Sequence, residues 1–144
     1  MTPRPTVIEI VVADMAASLA FYRRLGLDAP PAADGEAHVE MELGGGLRLA
    51  LDTEEVARAI DPSWTPPSGG HRMAIACACD SPGDVDAAHA ELTGAGYASA
   101  HAPWDAFWGM RYAVVLDPDG VPVDLFAPLT AGDTQRGGAG ALPQ

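Results

Sequence analysis

The hydrophobic pattern along the chain starts, stops and starts again. Val7–Val12 is β-branched at every position except Glu9, which predicts a buried strand. Asp14 follows as a helix cap, its carboxylate placed to take a hydrogen bond from an orphan amide. MAASLAFYRRLG then places Met15, Leu19, Tyr22 and Leu25 on one broad face, with Arg23 and Arg24 near the negative end of the helix dipole and Gly26 as the stop. Across Ala37–Leu43, Val39, Met41 and Leu43 alternate with His38, Glu40 and Glu42, the period of a half-buried strand. Gly44-Gly45-Gly46 turns the chain into a second alternation, Leu47, Leu49 and Leu51, so the pair predicts a hairpin.

Thr53–Gly70 breaks this regularity. Glu54–Ile60 suits a short helix, and Pro62, Pro66 and Pro67 forbid its continuation. Trp64 lies among these prolines, where an indole is expected to cover a core edge, a subunit seam or a ligand. The pattern then resumes. Met73–Cys79 reads as an apolar strand. Ser81 can cap the next helix, with Pro82 and Asp84 in its first turn. Val85, Ala88, Leu92 and Ala95 have helical spacing, and Gly96 ends the helix. Strands follow at Tyr97–His101, Arg111–Leu116 and Val121–Phe126, the last two joined by the turn Asp117-Pro118-Asp119-Gly120. Thr130–Gln144 is Gly-rich without a core pattern and reads as a flexible tail.

The two stretches superpose. Asp14 and Asp84 mark the helix starts and Gly26 and Gly96 the helix ends, each pair 70 residues apart. Neither half is large enough to close a core alone. Pairing them buries both sheets and leaves a groove, the shape a small ligand occupies.

Bulk properties narrow the function. The chain of 144 residues suits one domain, and 48% hydrophobic residues argue against disorder. Twenty acidic residues against eight basic ones give a formal charge of -12, which repels phosphate backbones and anionic lipid. Neither a nucleic-acid nor a membrane partner is expected. No apolar run spans a bilayer, and the N-terminus carries no signal-peptide pattern, so cytoplasmic residence is the default. Cys77 and Cys79 sit two apart on a strand, where a disulfide is strained and small buried side chains are the expected role. Gly44-Gly45-Gly46 lacks the Lys and Ser or Thr of a phosphate loop, and Ser18 lies inside a helix rather than at a nucleophile elbow.

VVADMAASLAFYRRLGL and VVLDPDGVPVDLFAP, the latter preceded by RYAVV, resemble the vicinal oxygen chelate superfamily of glyoxalases, extradiol dioxygenases and bleomycin-resistance proteins. The resemblance covers roughly residues 5–129. It implies an α+β fold in which two βαβββ modules, about 5–52 and 71–129, form a cupped mixed sheet, often completed as a homodimer. It also implies a divalent metal held by His, Gln or Glu inside the cup. Carried across position by position, the first ligand falls at Val7, which cannot bind a metal, and the second near Met73, a soft thioether. His71, two residues upstream, is the shifted alternative. The inner-strand carboxylate falls near Glu40 or Glu42, and the terminal one at Asp124, where the family commonly has Glu.

This damaged set shifts the expectation away from the family's metal enzymes, with no cofactor expected. The alternative is a glyoxalase-like lyase or isomerase, or a dioxygenase, using a shifted site of His71, Glu42 and Asp124. HAPWDAFWGMRY offers Trp104, Phe107, Trp108 and Tyr112 as aromatic surface for a flat ligand, with Arg111 for its polar groups. Trp64 stands as a second wall, and His38 lines the cup. His101, beside the aromatic segment, is an acid–base candidate, and His89 sits inside a helix in a structural role. The leading expectation is metal-independent binding or sequestration of a small organic ligand, an aromatic or cationic antibiotic among them. Whether the protein is also an enzyme stays open at the level of sequence.

Overall fold

A computed structural model describes residues 1–129; the tail expected at 130–144 lies outside the described residues. The chain divides into two compact units, Met1–Gly69 and a second beginning at Gly70.

In the first unit, strand β1 (Val7–Val12) leads into helix α1 (Met15–Arg24), then β2 (His38–Gly44), β3 (Leu47–Thr53) and helix α2 (Glu54–Ile60). The strands lie in the order β1-β3-β2. β1 runs parallel to β3, and β2 antiparallel to it. Asp14 caps α1 as expected, its Oδ1 accepting from the Ala17 amide at 3.0 Å. Thr53 caps α2 by accepting from Val56. The larger buried apolar side chains are Val12, Met15, Leu19, Phe21, Tyr22, Val39, Met41, Leu49 and Leu51. Leu43 departs from its alternation and is 39% exposed, because the pairing slips between Glu42 and Gly44 and a bulge re-aims the side chain.

The second unit contains β4 (Ile75–Ala78), α3 (Pro82–Gly94), β5 (Ser99–Asp105), β6 (Met110–Leu116) and β7 (Pro122–Pro128). Its sheet order is β4-β7-β6-β5, with β4 parallel to β7 and the remaining pairs antiparallel. Helix α3 packs on β6 and β7, over Ala113, Val115, Val123 and Leu125, all buried. Asp117, also buried, holds the β6–β7 turn by accepting from the amides of Asp119 and Val121.

Both units put their first strand parallel to their last, with a helix between. Both helices also end alike. Gly26 and Gly96 have φ of 90° and 104°, and each donates to the carbonyl three residues back. The next amides, of Leu27 and Tyr97, donate to Tyr22 and Leu92, the double bond of a Schellman cap. The starts do not match as the ends do. Ser81 caps α3 as expected, its Oγ accepting from the Asp84 amide at 3.1 Å, so Asp84 lies inside the helix and is not the counterpart of Asp14. Helix α3 has 13 residues against 10 in α1, so the glycines keep the repeat distance and the caps do not.

The βαβββ order is complete in the second unit. In the first, the place of the extra strand is taken by residues 26–37 with a 3-10 turn at Pro31–Gly35. Arg23 fixes that segment by donating to the carbonyls of Ala29 and Pro30 and pairing with Asp34 at 2.8 Å.

Candidate functional site

Three strands of the second unit place three aromatic side chains in one row. Trp104 on β5 pairs with Tyr112 on β6, and Tyr112 with Phe126 on β7. Alternation along β6 and β7 turns this row away from the face under α3. Tyr112 is the hub. Its ring lies 5.5 Å from Trp104 and 5.4 Å from Trp108, both edge to face, and stacks with Phe126 at 6.3 Å. Trp104 and Trp108 meet edge to face at 5.9 Å. These are the separations at which ring quadrupoles attract. The hairpin turn, closed by the Ala106 amide on the Met110 carbonyl and by Gly109 on Ala106, sets Trp108 against the row. Tyr112 is 6% exposed, and the other three rings are half-buried.

Polar groups border the rings. The Tyr112 hydroxyl donates to Asp124 Oδ2 at 2.5 Å, and burial with the adjacent carboxylate pushes its pKa well above the usual tyrosine value. His101 lies on Trp104 at 3.8 Å and donates through Nδ1 to the Ala102 carbonyl. The Trp108 Nε1–H is buried without an acceptor among the described residues.

The structure thus brings Trp104, Trp108 and Tyr112 together and adds Phe126 and Asp124. Phe107 stands at the hairpin tip, edge-on to Trp108 and 87% exposed. Arg111 does not join the cluster. Strand alternation sends it to the α3 side, where it pairs with Asp86 at 2.9 Å and Asp105 at 3.0 Å. Trp64 belongs to the first unit and packs under the Arg58 guanidinium, 5.4 Å from the ring centre. His89 donates to or accepts from Ser99 at 2.7 Å and serves the packing of α3.

His38 sits in a second constellation, on the first unit's sheet. Cross-strand pairing sets it opposite Asp52; its Nδ1 meets the Asp52 carboxylate and its Nε2 meets Glu40 at 2.8 Å. Arg48 pairs with Glu40 from the far side at 2.6 Å. Glu40 and then Asp52 favour the protonated ring, so His38 titrates above its ordinary 6.5. Its imidazolium in turn lowers the Glu40 pKa. The linked stability has opposite signs at the two groups. The His38 contribution is complete below its unfolded pKa and fades as pH rises through the folded one; that of Glu40 is present above its unfolded pKa and is lost as pH falls through the lowered one. An NMR titration of the His38 ring is expected to give a midpoint above 6.5, moved down by Asp52→Asn and by Glu40→Gln. A midpoint at or below the free-histidine value is the outcome that breaks this reading.

The donor set does not fit a family-type metal. Val7 carries no lone pair, and its register partner on β3 is Arg48, a cation that opposes another. Met73 lies outside β4 and is 65% exposed. His71 rests against the β6–β7 turn, its Nε2 3.7 Å from where a Cβ on Gly120 would stand, while Asp124 is engaged by Tyr112. Among the described residues no three His, Cys, Asp or Glu side chains form a metal-holding group. Cys77 and Cys79 are free and half-buried, and burial raises both thiol pKa values. Among the described residues no helix is long and apolar enough to cross a membrane.

Residues 4–125 match the family model of the Glyoxalase/Bleomycin resistance protein/Dioxygenase superfamily. No curated protein matches the sequence. Among solved structures, a glyoxalase/bleomycin resistance protein/dioxygenase family enzyme from Burkholderia phytofirmans PsJN superposes with a TM-score of 0.74 at 18% identity, covering 86% of this chain and 98% of its own. A glyoxalase-related enzyme from Fulvimarina pelagi gives 0.72 at 23% identity, over 87% and 88%. A glyoxalase/bleomycin resistance protein/dioxygenase from Nocardioides gives 0.70 at 25% identity, over 100% and 91%.

Proposed function

Because this chain belongs to the Glyoxalase/Bleomycin resistance protein/Dioxygenase superfamily, we propose that it uses the family scaffold to bind a small organic ligand without a metal, in the manner of a sequestering or resistance protein. The observation that carries the reading is the row Trp104–Tyr112–Phe126 with Trp108 against it, gathered on the sheet face away from α3. Rigid rings lose little entropy on binding and stack on flat ligands. A flat aromatic drug is the ligand class this surface suits. The proposal includes a homodimer working in the cytoplasm.

The chain's three tryptophans supply the test. In a Trp64→Phe background the remaining indoles, Trp104 and Trp108, both report from the cluster. A panel of flat aromatic compounds, antibiotics included, is expected to quench their fluorescence saturably. Trp104→Ala is expected to weaken binding about fivefold to tenfold, the worth of one aromatic contact. A panel without one saturable quencher removes the reading.

A second reading rests on His38. An imidazole clamped between two carboxylates is equipped for acid–base chemistry without a metal, as a lyase or isomerase requires. A substrate screen in which turnover is lost in His38→Gln favours it over binding alone.

A further inference from the structure

We infer that the aromatic face of the second unit is built for an organic cation, with Asp124 as its counter-ion and Trp104, Trp108, Tyr112 and Phe126 as its wall. This inference rests on the ligand-binding reading above and names the class of ligand.

The argument begins with the company Asp124 keeps. Its row across the sheet is Ala76 on β4, Val114 on β6 and, beyond Val114, His101 on β5; neither of its two direct neighbours offers a donor. The next row on the same face is Ala78, Phe126, Tyr112 and Trp104. The carboxylate is half-buried, and among the described residues its one hydrogen bond comes from a neutral hydroxyl, that of Tyr112. No arginine pairs with it among the described residues. The chain has no lysine at all; its eight basic residues are all arginine. Residues 70–129 contain only two of these, Arg72 and Arg111, against eight acidic side chains. Arg111 is committed to Asp86 and Asp105 on the opposite face, and Arg72 is exposed in the loop before β4.

A carboxylate among aromatic rings without a cation is an unbalanced charge. A neutral ligand laid over it would strip its water and return nothing, which is costly. A cation returns a Coulombic contact and at the same time meets the negative faces of the rings. On the β4 side the neighbours are the methyl groups of Ala76 and Ala78, both exposed, so no bulky side chain from that strand stands beside the carboxylate. The ligand class is therefore an ammonium, pyridinium or similar nitrogen cation joined to a flat or compact apolar body.

Calorimetry compares N-methylquinolinium with a C-methylated quinoline, its neutral analogue at mildly alkaline pH, on the full chain. The cation is expected to bind about tenfold more tightly, with a preference that shrinks as salt rises. Asp124→Asn, whose side-chain oxygen still accepts from Tyr112, is expected to bring the two compounds to parity. Equal binding of the two compounds to the unmodified chain, or a preference that survives Asp124→Asn, overturns the cation inference while leaving ligand binding intact. Failure of both compounds to bind overturns it together with the reading on which it rests. Should Asp124→Asn not fold, the ratio for the unmodified chain and its salt dependence decide the matter.

Discussion

Truncating Tyr112 to alanine is expected to cost about 3–5 kcal/mol of stability, the range for removing a buried ring, and to abolish ligand binding at the aromatic face. The ring is 6% exposed and contacts Trp104, Trp108 and Phe126. Its loss leaves a hollow between Trp104 on β5, Phe126 on β7 and Trp108 in the hairpin turn, and neither strand residue can fill it without leaving its own row. It also strips Asp124 of its hydroxyl donor. Tyr112→Phe separates the two parts of the effect, since it keeps the ring and loses only the hydrogen bond to a charged group, worth about 1.5–3 kcal/mol. Urea denaturation of both variants with an unchanged m-value measures the difference. A Tyr112→Ala cost below about 1 kcal/mol, the mean for an ordinary substitution, would mean that the rings are neighbours without being a packed unit.

The elements were largely legible because local chemistry dictates them. Capping by Asp14, Thr53 or Ser81 and the left-handed turns at Gly26 and Gly96 depend on a few adjacent residues. The errors arose where a partner strand decides. The sequence reading ends this strand at His101, yet β5 runs from Ser99 through Pro103 to Asp105. It is the edge strand of its sheet, where a missing amide need not interrupt a ladder. Leu43 fits the alternation and is exposed, because the hairpin bulge lies outside any count of period two.

The site was legible in part for the same reason. Trp104, Trp108 and Tyr112 are close in sequence, so they could be named as a group. Phe126 and Asp124 join them only through the β6–β7 register. Arg111 looked like a pocket residue by proximity, although the alternation against Tyr112 already separates the two faces of β6. The partners of His38 required the β2–β3 pairing, which puts Asp52 opposite it. The mismatch at the metal positions, in contrast, was visible directly at Val7, because a side chain without a lone pair needs no geometry to be excluded as a ligand. What the structure adds there is Arg48 as the neighbour of Val7.

Helix α1 yields the second large effect. The spacing of its apolar residues selects Met15, Leu19, Tyr22 and Leu25, whereas the buried set is Met15, Ser18, Leu19, Phe21 and Tyr22. At 100° per residue this set sweeps an arc of roughly 160°, wider than a single stripe. Phe21, fully buried, stands at one limit of the arc, edge to face with Tyr22 at 5.0 Å. Leu25 falls within the arc by angle but is the C-cap, where the chain turns away at Gly26, and it stays half-buried. Phe21→Ala is therefore expected to cost about 3–5 kcal/mol and Leu25→Ala about 1 kcal/mol. The reverse order in denaturant melts would return the helix to the face its spacing suggests. The expected order follows because helical period fixes only the direction in which a side chain leaves the axis, while the length of chain that continues beyond it decides whether anything covers that side chain.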